Sequence, residues 1–88
     1  MLKFVTWDGD LTQFLVDAED NFGAVLKAIK ANEEIWKETG GLPDEDEFDS
    51  IHNVETYSVI DVDIKLLNEI FDRNDRGGLY GEAIVFWD

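Results

Sequence analysis

The chain has no cysteine, a single histidine and a single proline among its 88 residues. Without cysteine it can form no disulfide, zinc–thiolate site or redox-active thiol. The chain also lacks a recognisable arrangement for nucleophilic catalysis, because Ser50 and the histidine, His52, lie two residues apart and match no catalytic pattern. Carboxylate pairs of the glycosidase type are abundant, but a chain this short offers little room for a substrate cleft. We therefore expect that the protein is not an enzyme and carries no cofactor.

Long apolar runs are absent as well. No stretch approaches the roughly 20 residues that a membrane-spanning helix needs. The N-terminal segment up to Trp7 is too short for a signal peptide and runs directly into acidic residues. These features lead us to expect a soluble, cytoplasmic protein without membrane contact.

Basic residues are scarce. Seven Lys and Arg stand against 21 Asp and Glu, which gives a net charge of −14 and a pI near 4.1. The electric field of this net negative charge repels nucleic-acid phosphates and anionic lipid, so direct binding to either is disfavoured. It attracts cations over a long range, and basic proteins and metal ions are the partners that remain.

A calcium loop is the metal site that the sequence resembles most. Asp72 and Asn74 match the first and third ligands of such a loop, and Gly77 matches its sixth position. Arg76 falls at the fifth position and Ala83 at the twelfth, and neither supplies the required oxygen. We predict no metal site.

The residues that are present predict a folded domain. Apolar residues make up 44% of the chain and include three tryptophans, a composition that disordered acidic tails do not have. The length corresponds to one domain that covers residues 1–88.

Alternating apolar residues, helical stripes and turn dipeptides predict the order β-β-α-β-α-β. Strands at 2–7 and 11–16 form a hairpin with Asp8-Gly9 as its turn. A helix at 22–38 follows, then strands at 54–60 and 80–87 with a second helix between them. The apolar stripes that we expect these helices to bury are Phe22, Val25, Leu26, Ile29 and Trp36 in the first helix, and Ile64, Leu67, Ile70 and Phe71 in the second.

These elements suit an α+β fold, a two-layer sandwich in which a four-stranded mixed sheet carries both helices on one face. The strand-helix-strand unit near the end favours a right-handed crossover, with the last strand parallel to the third. If the apolar last strand lies at a sheet edge, it can pair with a second copy and form a homodimer.

The acidic residues are clustered along the sequence. The densest stretch surrounds Phe48, and we expect a loop or short irregular helix there. Spread evenly over about 5,300 Å² of surface, the carboxylates would lie roughly 16 Å apart, whereas phosphates along a DNA strand lie roughly 7 Å apart. Only a clustered arrangement can approach the spacing of phosphates. The residues that we predict to bind a partner are Asp44, Glu45, Asp46, Glu47 and Asp49, with Phe48 as either a core contact or an exposed apolar anchor, supported by Asp17, Glu19, Asp20, Asp61 and Asp63.

In size, charge and lack of catalytic residues, the chain resembles the small acidic DNA-mimic proteins of phages and mobile elements. That resemblance implies an inhibitor whose carboxylates occupy the basic groove of a nuclease, a restriction or CRISPR complex, or a DNA-binding regulator. The alternative is an immunity or antitoxin protein that neutralises a cognate basic nuclease toxin, since immunity proteins of nuclease bacteriocins are similarly short and acidic. An interaction module without an inhibitory role is a third possibility.

Overall fold

The computed structural model describes residues 1–9, 11–38, 45–73 and 77–86; for residues 45–47 and 73 it describes the backbone alone. The elements in chain order are the strands and helices β1 (Leu2–Trp7), β2 (Gln13–Asp17), α1 (Asn21–Glu38), α2 (Glu45–His52), β3 (Tyr57–Asp61), α3 (Ile64–Arg73), β4 (Gly77–Tyr80) and β5 (Ala83–Phe86), with a 3-10 turn (Val54–Thr56) before β3.

The five strands form one sheet in the order β3-β1-β2-β5-β4, and every neighbouring pair is antiparallel. The α+β class is confirmed, but the prediction of four strands in a mixed sheet is wrong. The segment 80–87 was expected to be one strand. Its N-terminal part instead turns at Gly81, whose φ of +57° suits a tight hairpin, so that β4 and β5 pair with each other.

The last strand is therefore not parallel to β3. It lies beside β2, while β3 lies on the far side of β1. Strand β4 takes the place that the last strand was expected to fill: the pairings run β3 and β4 in the same direction, at opposite edges of the sheet, and α3 connects them.

Helices lie on both faces of the sheet rather than on one. One core contains Val5, Trp7, Phe14, Val16 and Val85 from the sheet, together with residues of α1 and Ile51 of α2. The other core contains Phe4, Leu15 and Phe86 with Ile70 of α3. The run Phe14-Leu15-Val16 does not alternate with polar residues because both of its faces are buried.

Helix α1 has the predicted bounds to within a residue, but it buries a different stripe. Phe22 is 59% exposed and Leu26 is also exposed, although both were expected in the core. The buried residues are Ala24, Val25, Ala28, Ala31 and Asn32. Small alanine side chains let the helix axis approach the sheet closely, which turns the two larger side chains towards solvent.

The β1–β2 connection is longer than the predicted two-residue turn. The Leu11 amide donates to the Trp7 carbonyl at 3.0 Å, and the Trp7 amide donates to the Thr12 carbonyl at 2.9 Å. Among the described residues of this connection, Leu11 has a positive φ, of 63°, and Gly9 does not. Gly9 is required for a different reason, because a Cβ there would lie 2.4 Å from the Trp7 indole.

Part of the acidic stretch is the helix α2. Ile51, which is fully buried, holds this helix against the sheet, and the Trp7 indole N–H donates to the Ser50 carbonyl at 3.3 Å. The buried Asn32 amide donates to the Tyr57 hydroxyl at 3.1 Å, which in turn donates to the Ile51 carbonyl at 2.6 Å. Hydrogen bonds thus link α1, β3 and α2 at one end of the sheet.

Candidate partner-binding surface

Carboxylates from three separate segments meet at one end of the sheet. Strands β2 and β3 both run antiparallel to β1, so both end beside its first residues: Asp17 lies opposite Leu2, and Asp61 lies opposite Lys3. Ala83, at the start of β5, lies opposite Val16, which brings the β4–β5 turn to the same end. We call this region the acidic end. Its exposed carboxylates are Asp17, Glu19, Asp20, Asp61, Asp63 and Glu82.

The strand lattice sets the spacing of these groups. Asp17 and Asp61 lie on strands that flank β1 on its two sides, which places their backbones about 10 Å apart. In the described part of the chain, no three Asp, Glu or His side chains approach closely enough to hold a metal ion together. The carboxylates of the acidic end are therefore distributed over a surface rather than gathered at a point.

Two of these carboxylates cap helices. Asp20 precedes α1 and accepts from the Gly23 amide at 2.6 Å, and Asp63 precedes α3 and accepts from the Leu66 amide at 2.8 Å. An oxygen acceptor before the first turn satisfies an otherwise unpaired amide, and a negative charge there interacts favourably with the helix dipole. Each cap uses one carboxylate oxygen.

Two others pair with cations. Asp17 accepts from the Met1 ammonium at 2.7 Å, and this hydrogen bond, followed by the charge of the ammonium, lowers the pKa of Asp17. Asp61 pairs with Lys3 at 2.5 Å, and the Lys3 side chain is only 7% exposed. The Lys3 charge thus lies beneath the surface while the Asp61 carboxylate lies on it.

A third cation borders the acidic end. The Lys27 ammonium donates to the Asp17 carbonyl at 2.5 Å and lies 4.0 Å from Glu82. It forms one wall of a shallow depression of about 480 Å³, which is otherwise lined by Asp17, Ala18, Glu19, Asp20 and Gly23. Glu19 makes no ion pair with any other described residue, so its charge is the least compensated in this depression.

The predicted binding residues fall into two groups. Asp17, Glu19, Asp20, Asp61 and Asp63 come together at the acidic end. Helix α2 lies at the opposite end, beside Trp7, about 17 Å away along the six residues of β1. Of the residues predicted there, Asp49 is exposed, Asp44 lies outside the described residues, and so do the side chains of Glu45, Asp46 and Glu47.

Phe48 lies on the surface of α2. Its side chain is 53% exposed and its ring centroid lies 4.4 Å from that of His52. Ile51, which the sequence analysis did not single out, makes the core contact that we considered for Phe48. The available signal was that Ile51 is an apolar residue in a largely acidic segment, three positions after Phe48.

His52 joins α2 to α1. Its Nδ1 lies 2.8 Å from the Phe48 carbonyl and its Nε2 lies 2.6 Å from a Glu33 carboxylate oxygen. Both partners are acceptors, so both contacts are hydrogen bonds only when the ring is protonated on both nitrogens. The Phe48 carbonyl, and after it Glu33, raise the pKa of His52 despite the opposing effect of burial.

Sequence reasoning missed one part of this surface. Phe22 and Leu26 lie four residues apart in the first turns of α1, after the capping residue Asp20, and both are exposed. The alternative stripe of small residues, Ala24, Ala28 and Ala31, has equally good helical spacing and was the available signal.

Comparison with protein-family models, curated proteins and solved structures finds no match for this chain. Among the described residues, none of the helices has the length and apolar character required to span a bilayer.

Proposed function

We propose that this protein inhibits a basic nucleic-acid-binding protein, such as a nuclease, a restriction or CRISPR complex, or a DNA-binding regulator, by occupying its nucleic-acid groove. The observation that carries this proposal is the acidic end, where exposed carboxylates from three segments collect at one end of the sheet. In this role the carboxylates stand in for phosphates.

Charge supports the proposal in two ways. A net charge of −14 accelerates encounter with a cationic groove. The strands that carry Asp17 and Asp61 lie about 10 Å apart, and because Asp17 pairs with Leu2 and Asp61 with Lys3, the two side chains leave the sheet on opposite faces. The acidic end therefore offers carboxylates to cations on both faces of the sheet.

The second candidate is an immunity protein for a basic nuclease toxin. Phe22 and Leu26 favour it, because exposed apolar side chains beside carboxylates suit a protein-specific contact more than phosphate mimicry. An immunity protein that binds beside the active site leaves the nucleic-acid groove open. Competition with DNA therefore separates the two candidates.

The test uses the immobilised chain to capture proteins from bacterial extracts at low salt, followed by elution with duplex DNA. We expect capture of a nucleic-acid-binding protein that DNA displaces. Capture that DNA does not displace supports the immunity candidate, and failure to enrich any nucleic-acid-binding protein contradicts both.

A charge variant of the acidic end provides the matched control. Glu19→Gln, Asp20→Asn and Asp63→Asn remove three charges, and asparagine keeps the oxygen that caps each helix. The comparison variant carries Glu34→Gln, Glu55→Gln and Glu69→Gln, which remove the same charge from exposed positions elsewhere. The first variant should bind the captured protein about tenfold more slowly at low salt, and the second should stay close to the unmodified chain. Equal effects would mean that net charge alone matters.

A further inference from the structure

An apolar row crosses one face of the sheet. The strand registers align Leu79, Ile84, Leu15, Phe4 and Ile60 from β4 to β3. Helix α3 buries Leu15 and Phe4 in the middle of this row. It leaves the β4 end open: Leu79 is 76% exposed, and its cross-strand neighbour Ile84 is partly exposed.

Strand β4 also lies at the edge of the sheet. In the part of the chain that the structure describes, it pairs with β5 alone. Natural edge strands are commonly protected from pairing by a charged residue, a proline or a very short length. The four residues of β4, Gly-Gly-Leu-Tyr, include no charged residue and no proline, so its short length is the protection that it has.

The hairpin geometry fixes which backbone groups face outwards. Tyr80 and Ala83 close a two-residue turn, and the residues that close such a turn hydrogen-bond to each other. The next pair, Leu79 and Ile84, is then a pair without mutual hydrogen bonds. The N–H and C=O of Leu79 consequently point to the open edge, where a further strand would meet them.

A second apolar group lies near this edge. Phe71 of α3 is exposed and packs edge-to-face on Phe86, with ring centroids 5.8 Å apart. Phe86 lies opposite Gly77, the first residue of β4. Because Leu79, Ile84 and Phe86 share one face of the sheet, the exposed side chains of Leu79 and Phe71 both lie on the face that an incoming strand beside β4 would extend.

We propose that β4 accepts an additional strand from an extended, cationic segment of the partner, whose apolar side chain packs beside Leu79. Charge complementarity selects this occupant, because the chain carries a net charge of −14, the carboxylate of Glu82 in the hairpin turn is exposed, and a second copy of this chain would bring another −14 charges. The cationic nature of the occupant rests on the proposed function.

The test follows backbone amides by NMR while a short, terminally blocked peptide of alternating lysine and valine is added. We expect the Leu79 amide to shift and its hydrogen exchange to slow by about tenfold at saturation, while the amides of the other edge strand, β3, stay unchanged. Perturbation of β3, or of carboxylate-bearing segments alone, would overturn the proposal, as would the absence of binding.

Two variants at one position separate backbone from side chain. Leu79→Pro removes the outward N–H, which an edge strand tolerates, and should abolish peptide binding. Leu79→Ala keeps the N–H and should bind more weakly than the unmodified chain. If Leu79→Pro does not fold, Leu79→Ala still tests the proposal. Peptide binding by Leu79→Ala that equals binding by the unmodified chain would contradict packing of the peptide beside Leu79. Equal binding by a folded Leu79→Pro variant would overturn strand addition.

The last experiment measures the oligomeric state of the chain alone by sedimentation. A monomer is expected, and a dimer that Leu79→Pro dissociates would make a second copy the occupant and refute the proposal. Failure of the peptide to add while a captured protein is still displaced by DNA would refute strand addition only. Addition of the peptide without any DNA-displaced partner would refute the proposed function only.

Discussion

Leu11 holds a backbone conformation that costs stability, and its replacement by glycine should raise the free energy of unfolding. With φ at 63° it lies in the left-handed region, which costs a residue that has a Cβ about 1–2 kcal/mol. Its side chain is 68% exposed, so little packing is lost on replacement. Glycine adds unfolded-state entropy that offsets about 0.4–1 kcal/mol of the gain. The net expectation for Leu11→Gly is a stabilisation of about 0.5–1 kcal/mol.

Urea denaturation followed by tryptophan fluorescence measures this change as a higher midpoint at constant slope. For a domain of this size the corresponding rise in Tm is about 2–8 °C. Leu11→Ala is the matched control, because it removes the side chain but keeps the Cβ. It should stay within about 0.5 kcal/mol of the unmodified chain.

The two variants together distinguish relief of backbone strain from removal of an exposed apolar side chain. If Leu11→Ala is as stabilising as Leu11→Gly, removal of an exposed apolar side chain explains the gain, and backbone strain does not. If Leu11→Gly is destabilising, the left-handed conformation carries no cost in this turn.

Two further predictions concern charged pairs. Because the pKa of His52 is raised in the folded state, its contribution to stability is complete below the unfolded value near 6.5 and is lost as pH rises through the folded pKa. For so exposed a pair the loss should be about 0.2–1 kcal/mol, measured as unfolding free energy against pH, and His52→Gln should remove the slope. A slope that persists in His52→Gln would assign it to another group. For the pair of Lys3 and Asp61, Asp61→Asn keeps an oxygen acceptor but leaves a buried ammonium without a counter-charge and should cost about 1–3 kcal/mol, whereas Lys3→Met removes the buried charge itself and should cost less. Chemical denaturation of both single variants and the double variant measures this, and the opposite order would mean that the Lys3 charge is well solvated.

Local patterns in the sequence predicted most individual elements. The bounds of β1 and α1 follow from alternation and from a capping residue before a helical stripe, and both are local properties. The strand expected at 54–60 begins later, at Tyr57, because residues 54–56 form the 3-10 turn that Asn53 caps. The α2 helix was anticipated as one of two options for the acidic stretch.

The arrangement of these elements was harder to predict, because it depends on which faces are apolar. Phe4 and Val5 are both buried, on opposite faces of β1, and the same holds for Leu15 and its neighbours in β2. A sheet that is apolar on both faces needs a helix on each side, which places α3 opposite α1. The β4–β5 hairpin was missed because Gly77 and Gly78 follow the predicted second helix, where glycine commonly ends a helix, although glycine also occurs in short edge strands.

The sequence predicted the composition of the acidic surface better than its geometry. Charge clusters identified the carboxylates of the acidic end except Glu82, but their convergence depends on strand register, which joins Asp17 and Asp61 across 44 residues of chain. Phe22 was assigned to the core because its spacing fits a helical stripe as well as the alanines do. Only the close approach of α1 to the sheet decides between the two stripes.

The helix-capping role of Asp20 and Asp63 also affects how the acidic end would bind a partner. Asp20 and Asp63 each hold one oxygen against a helix amide, which fixes the direction of the second oxygen before any partner arrives. A side chain that is already ordered loses little conformational entropy when a partner arginine or lysine reaches it, whereas a mobile surface carboxylate loses about 0.5–1.5 kcal/mol. The structural role of these residues therefore strengthens their suitability as phosphate substitutes. It also means that alanine substitution would confound helix stability with binding, while asparagine, which retains the capping oxygen, isolates the charge.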